Sequence, residues 1–127
     1  RLQSDLTELW EAALEGRLDK VKARWDERAA LGVVLAAGGY PGDYRKGDAI
    51  TGLDGADTAD AKVFHAGTAQ RDGEVVTSGG RVLCATALGQ TVGEAQRRAY
   101  ALADRIRWQG MILRRDIGYR AVARERA

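Results

Sequence analysis

The sequence predicts an α+β fold with a largely antiparallel sheet. Apolar residues recur at three- and four-residue spacing near the N-terminus and again around residue 100, which is typical of amphipathic helices. Short apolar runs separated by glycine-rich turns lie between these helices and indicate strands. Asp72-Gly73 separates two such runs as in a β-hairpin, because both residues tolerate positive φ. A hairpin-rich centre flanked by helices favours helices packed on antiparallel strands.

An apolar stripe predicts the first helix, over residues 2–14, with Gly16 as its end. The stripe consists of Leu2, Leu6, Leu9, Trp10, Ala13 and Leu14. We expect Trp10 to lie in the core, as an aromatic residue on such a stripe usually does. The charged stretch 17–27 is predicted to be a connector, either short-helical or irregular. Residues 29–37 are too short and too β-branched for a helix, so they predict a buried strand.

A glycine-rich loop follows this strand at residues 38–48. It holds four glycines, the only proline of the chain, two tyrosines and two adjacent cations. Glycine lets another molecule approach the backbone closely, and Arg45 and Lys46 can face an anion. The loop therefore fits the edge of a pocket. An ordinary solvent-exposed connection explains the same composition equally well, since Gly, Pro and Asp are common in any turn.

The central region is predicted to be irregular over residues 48–60 and to form strands beyond it. A short strand is expected at 62–66, the hairpin at 68–77, and another apolar strand at 81–88.

A second helix is predicted to begin at Thr91-Val92-Gly93-Glu94, a capping box in which the hydroxyl and the carboxylate satisfy free amides. Its apolar face consists of Ala95, Ala99, Leu102 and Ile106, and Gly110 is expected to end it. Residues 111–113 and 119–123 are predicted to form a final strand pair around the turn Asp116-Ile117-Gly118.

The composition excludes several classes of protein. Apolar residues make up 45% and charged residues 30%, which suits a globular protein and argues against disorder. A net charge of +2 is too small to indicate nucleic-acid binding, and no apolar run approaches the length of a membrane span. The single cysteine, Cys84, cannot form an internal disulfide, so a reducing cytoplasm is expected. Because the first residue is Arg1 and not Met, we expect the chain to begin inside a longer polypeptide.

No catalytic apparatus is evident in the residues themselves. His65 is the only histidine, so no zinc-ligand spacing exists, and a structural role for it is expected. Cys84 lies in an apolar strand and is expected to be inert, and Ser78 lacks the context of a strained nucleophile. We therefore assign no catalytic residue and no metal ligand.

Two glycine-cation elements remain, at residues 40–47 and 78–81. Consecutive glycines can point backbone amides at an anion, and an adjacent arginine adds a fork of charged donors. If the fold brings the two elements together, they could hold a phosphorylated small molecule.

Four motifs in order resemble the C-terminal part of the phosphoribosylamine–glycine ligase family, also called glycinamide ribonucleotide synthetase. They are Ala-Ala-Gly-Gly-Tyr-Pro-Gly at 36–42, Val-Phe-His-Ala-Gly-Thr at 63–68, Gly-Gly-Arg-Val-Leu at 79–83 and Arg-Asp-Ile-Gly-Tyr-Arg-Ala at 115–121. Tyr44 and Lys46-Gly47 extend the first motif. Four separate motifs in register are far more specific than any one of them.

The resemblance implies the barrel-like C-terminal domain of an ATP-grasp ligase, with one packed helix and preceded by a helix from the ATP-grasp lobe. Residues 1–24 would end the ATP-grasp region, and residues 25–127 would form the C-terminal domain. The complete cytoplasmic enzyme would join glycine to 5-phosphoribosylamine through a glycyl phosphate in de novo purine biosynthesis, consuming ATP with magnesium. The ATP- and magnesium-binding residues would lie upstream, so we expect the isolated chain to bind neither and to be inactive.

The resemblance also implies where substrate binds. The segment equivalent to Gly80-Arg81 approaches the substrate in related enzymes, so Gly79, Gly80 and Arg81 are expected to face it, with Tyr44 and Lys46 as further candidates. The expected partners are phosphoribosylamine or its glycinamide product and the missing N-terminal and ATP-grasp lobes, with neither nucleic acid nor membrane. The alternative is a stand-alone, non-catalytic ligand-binding or interaction module that reuses the same domain.

Overall fold

The computed structural model describes residues 1–125 and has the α+β architecture that the sequence predicts. In chain order the elements are α1 (Leu6–Leu14), a 3-10 turn (Leu18–Lys20), β1 (Ala29–Ala36), β2 (Ala61–His65), β3 (Thr68–Arg71), β4 (Glu74–Thr77), β5 (Arg81–Gly89), α2 (Val92–Ala103) and α3 (Tyr119–Glu125). Within the described part of the chain, no helix is both long enough and apolar enough to cross a bilayer.

The main sheet has the strand order β1-β5-β2, and both pairings are antiparallel. One face carries Val33, Val63 and Ala85, which are almost fully buried beneath the apolar face of α2. The opposite face is open, and Val34 and Phe64 on it are 42% and 49% exposed. This sheet therefore packs against a helix on one side only.

The hairpin of β3 and β4 turns at Asp72 and Gly73, whose φ values are 52° and 85° as the Asp-Gly signal requires. Residues 47–50 run along the other edge of β4. Ile50 N–H donates to the Val75 carbonyl and Thr77 N–H donates to the Asp48 carbonyl, both at 2.9 Å. The start of the region predicted to be irregular is thus extended, and it anchors the end of the glycine-rich loop to the hairpin.

Helix α2 begins at the predicted capping box but ends earlier than predicted. Thr91 Oγ1 accepts from Glu94 N–H at 3.1 Å, and the Glu94 carboxylate accepts from Gln90 N–H at 2.7 Å. The helix ends at Ala103, and the chain then turns so that Ile106 and Trp108 enter the core. Ile106 is therefore buried as its place on the predicted apolar face suggests, but it lies in the turn after the helix and not in the helix itself.

The predicted final strand pair is wrong. Only Ile112 makes a bridge, exchanging 2.9 Å hydrogen bonds with Ala36 at the edge of β1. Residues 119–123 are helical, since the Gly118 carbonyl accepts from both Ala121 and Val122 N–H at 3.0 Å. The Glu125 carboxylate then accepts the free amides at the start of α2. This long-range contact favours helix over strand.

The N-terminal residues form a small unit that closes on itself. Leu2 bridges Trp25, and Asp26 N–H donates to the Arg1 carbonyl at 2.7 Å. Helix α1 begins at Leu6, and Asp5 caps it. The expectation that Trp10 lies in the core is wrong, because its side chain is 61% exposed and α1 buries only Ala12. Of the apolar stripe, Leu2 and Leu9 are partly buried, whereas Leu6 and Leu14 are exposed like Trp10.

An ion cluster fastens this unit to the sheet. The Arg28 guanidinium contacts the Asp26 carboxylate at 2.7 Å and the Asp60 carboxylate at 2.6 Å. Arg98 of α2 reaches the other oxygen of Asp60 at 3.4 Å. The cluster therefore joins the connector, the loop before β2 and helix α2.

Candidate functional site

The two glycine-cation elements meet. Ala37 N–H donates to the Gly80 carbonyl at 2.8 Å, and Gly47 N–H donates to the Thr77 carbonyl at 2.7 Å. A Cβ added to Gly80 would lie 2.3 Å from Cδ2 of Tyr40 and 3.0 Å from Cε1 of Tyr44. Only a glycine fits beneath these rings. The loop and the start of β5 thus form one surface, although they are far apart in sequence.

The backbone amides before β5 are not equivalent. Ser78 and Gly79 N–H both donate to the Gly67 carbonyl, at 2.8 and 3.1 Å. The N–H of Gly80 has no acceptor within residues 1–125. Gly79 serves instead as a packing position, since a Cβ there would lie 3.0 Å from the Gly67 Cα. One backbone donor, not a run of them, is therefore available to a ligand.

Arg81 lines an open depression of about 540 Å³. The depression is also lined by Val34, Tyr40, Ala66, Gly67, Gly80, Leu83 and Cys84. The Arg81 side chain is exposed, and no carboxylate or carbonyl in residues 1–125 pairs with it. Its guanidinium is free to bind an anion that enters the depression.

Tyr44 and Lys46 stand beside this depression and do not line it. The Tyr44 ring is half-buried against the core, with its centroid 6.3 Å from that of Tyr40. Lys46 Nζ lies 5.8 Å from the Tyr44 ring centroid, within cation–π range. Among the five residues predicted to face substrate, Gly80 and Arg81 therefore share one cavity, and the others support or flank it.

Arg45 holds the loop in place. Its guanidinium pairs with the Asp48 carboxylate and also donates to the Gln109 side chain at 2.6 Å. The hydrogen bond to Asp48 raises the pKa of Arg45 above its ordinary value. Arg45 was expected, with Lys46, to be able to face an anion. Its charge is instead matched within the protein, so Lys46 is the cation of this pair that remains open.

Tyr40 and Gly67 are two of the lining residues that sequence reasoning did not select. Both belong to motifs that the sequence does single out, at 36–42 and 63–68. Nothing local distinguishes them as lining residues, because their place depends on contacts with Gly80 and Gly79. The glycine-containing motifs at 36–42 and 63–68 were the only sequence signal that other parts of the chain approach closely there.

Among the other chemically active side chains, Cys84 lines the depression and His65 lies outside it. His65 Nδ1 is 3.0 Å from Thr68 Oγ1, and Cys84 Sγ is 3.5 Å from Thr86 Oγ1. Within residues 1–125 no three His, Cys, Asp or Glu side chains converge as a metal site. The free N–H of Gly80 and the unpaired guanidinium of Arg81 support anion recognition at this surface.

Comparison with known proteins identifies the domain. Residues 30–120 match the family model described as phosphoribosylglycinamide synthetase, C domain. The chain is 67% identical over 127 residues to phosphoribosylamine–glycine ligase of Vibrio cholerae, covering 100% of this chain and 30% of that protein. It is 66% identical over 126 residues to phosphoribosylamine–glycine ligase of Pseudomonas aeruginosa, covering 99% of this chain and 29% of that protein.

A solved structure agrees. The crystal structure of phosphoribosylamine–glycine ligase from Thermotoga maritima superposes with a TM-score of 0.67 at 37% identity, covering 87% of this chain and 28% of that one. The chain thus spans about 30% of the length of the relatives it matches. The match over residues 30–120, together with this shared fold, shows that the chain belongs to the phosphoribosylglycinamide synthetase C-domain family.

Proposed function

We propose that this chain is the C-terminal part of a cytoplasmic, ATP-dependent ligase that joins glycine to 5-phosphoribosylamine in de novo purine biosynthesis. Its contribution is one wall of the substrate pocket and a packing surface for the other lobes. The observation that carries the proposal is the contact of Tyr40 and Tyr44 with Gly80, directly beside the unpaired guanidinium of Arg81. The names of the relatives supply the reaction.

In this proposal the wall binds the sugar-phosphate. Arg81 provides charged N–H donors, and Gly80 N–H provides a fixed backbone donor at the same cavity. Tyr40 covers one side of the cavity and orients the ribose, since its ring is held against Gly80. These residues position phosphoribosylamine or its glycinamide product and carry out no bond-making step themselves.

ATP and magnesium belong, in this proposal, to lobes outside the present sequence. Residues 1–24 form the end of the ATP-grasp region, and residues 25–127 form the C-terminal domain. The unit that closes on itself leaves Trp10 and Leu14 exposed and supports a division in this region, with its last pairings at Trp25 and Asp26, two residues beyond the proposed boundary. Phosphoryl transfer needs a metal and a nucleotide clamp, so the isolated chain should form no product from ATP and glycine.

The test is Arg81→Ala in the complete ligase. We expect the KM for phosphoribosylamine to rise about 10- to 100-fold, because a charge-assisted hydrogen bond is worth about 1.5–3 kcal/mol. The KM for ATP should change little. Arg97→Ala, which removes an exposed arginine of α2, is the matched control. If Arg81→Ala has the kinetics of this control, Arg81 is a solvated surface residue and the proposed wall does not exist.

A further inference from the structure

We propose that Arg71, at the end of β3, is a further substrate-binding residue and that it makes the site selective for a phosphate monoester. This inference rests on the proposed function, because it concerns the same site. It is argued from the contact between the β3–β4 hairpin and the glycine-rich loop at Gly47.

The guanidinium of Arg71 lies over Gly47. A Cβ added to Gly47 would be 3.1 Å from Arg71 Nη1, and its other near neighbours would be Cζ and Nη2 of the same group. Gly47 has a φ of 87°, which disfavours any other residue there. The hydrogen bond from Gly47 N–H to the Thr77 carbonyl fixes this part of the loop against β4. The fold, and not the sequence, therefore brings the Arg71 guanidinium against Gly47, the residue that follows Lys46.

In the described part of the chain the two cations at this point are unpaired, and even Glu74, which lies opposite Arg71 in the hairpin, forms no salt bridge with it. Within residues 1–125, neither Arg71 nor Lys46 has a salt bridge or a side-chain hydrogen bond. The nearby carboxylate of Asp48 is engaged by Arg45. An anion bound between Arg71 and Lys46 would interact favourably with both charges.

Contacts through the Tyr44 ring connect Lys46 to the proposed site. Lys46 lies over the Tyr44 ring, and that ring also packs on Gly80, next to Arg81. A phosphate monoester carries a charge of about −1.5 to −2 near neutral pH and three acceptor oxygens, more than one guanidinium can satisfy. Arg71 and Lys46 do not line the depression itself. From the Gly47 side of the loop, Arg71 would donate to the oxygens that Arg81 leaves free, with Lys46 adding charge. The pocket would then discriminate against sugars that lack the phosphate.

The experiment uses the complete ligase with ribose 5-phosphate as a competitive inhibitor and ribose as the uncharged comparison. Arg71→Ala should raise the inhibition constant of ribose 5-phosphate about five- to tenfold and leave inhibition by ribose unchanged, as loss of one exposed charged contact implies. The effect should shrink as salt is added. Arg71→Lys keeps the charge without the fork and should recover part of the loss.

Two further variants separate the possible failures. Arg97→Ala is the control for loss of an exposed arginine, and Arg81→Ala tests the parent site. If Arg81→Ala weakens ribose 5-phosphate and Arg71→Ala matches the control, the role of Arg71 is overturned while the proposed function stands. If neither variant differs from the control, both the role of Arg71 and the proposed function are contradicted. Should Arg71→Ala lower the melting temperature, Arg71→Lys decides: inhibition identical to the wild type at every salt concentration overturns the inference.

Discussion

Gly80 is the residue on which the candidate site is built, because two tyrosine rings rest on it. Gly80→Ala would put a methyl group 2.3 Å from Cδ2 of Tyr40, so the ring and its loop must move. We expect a loss of about 1–3 kcal/mol in the free energy of unfolding, the usual effect of overpacking. In the complete ligase the KM for phosphoribosylamine should rise as well. Urea unfolding and steady-state kinetics measure the two effects.

Gly93→Ala is the control for this substitution. Gly93 is also buried, but a Cβ there would have no neighbour closer than 3.7 Å. It lies in the first turn of α2, where alanine should be neutral or stabilising by up to about 1 kcal/mol. Equal destabilisation by both substitutions would contradict the special role of the contact between Gly80 and the tyrosine rings.

The place of a single residue in the candidate site was predictable where a local sequence motif contains that residue. Arg81 opens β5 directly behind the double glycine Gly79-Gly80, so local sequence singles out Gly80 and Arg81. Arg45 was open to more than one reading, because its Gln109 partner is 64 positions away along the chain. Arg71 was missed for the same reason, since only the folded hairpin places it on Gly47.

Among the elements, strands with a clear turn signal were predicted well, and the C-terminal segment was not. The short apolar stretch Ala-Val-Ala at 121–123, just after the turn at Gly118, favours a strand over a helix on local sequence alone. A helix forms there because the Gly118 carbonyl starts a turn and Glu125 meets the free amides of α2. Seven residues are too few for helical periodicity to outweigh such a signal, so the segment depends on its tertiary contacts.

The ion cluster around Arg28 joins several elements and gives a pH prediction. Hydrogen bonds from the Arg28 side chain and backbone lower the pKa of Asp26 from 3.8 to about 2. A carboxylate whose pKa is lower in the folded state than in the unfolded state contributes its full stabilisation at pH values above the unfolded-state pKa. That contribution disappears as the pH falls through the folded pKa. The difference in unfolding free energy between wild type and Arg28→Gln should therefore be constant above about pH 5 and shrink toward pH 2.

Urea unfolding at a series of pH values measures this difference. Arg97→Gln serves as the reference, because Arg97 is exposed and forms no ion pair within residues 1–125; its difference from wild type should not vary over the same range. If the Arg28→Gln difference is as flat as this reference, Arg28 does not hold Asp26 ionised in the folded state.

On the scale of the whole molecule, the chain exposes much apolar surface at its N-terminal unit and on the open face of the main sheet. Trp10, Leu14 and Trp25 are 61%, 89% and 58% exposed. Apolar patches of this kind are usually covered by a partner surface. We expect the isolated 127-residue chain to self-associate with rising concentration and the double variant Trp10→Ser/Leu14→Ser to do so less. Light scattering checks this, and a wild-type chain that stays monomeric would contradict it.

The most direct measurement is a crystal structure of the complete ligase with its glycinamide ribonucleotide product bound. The phosphate is expected within hydrogen-bond distance, about 2.7–3.2 Å, of the Arg81 guanidinium and Gly80 N–H, with the Tyr40 ring against the ribose. A phosphate bound on another lobe, with Arg81 still facing solvent, would contradict the claim that this domain forms the wall of the substrate pocket.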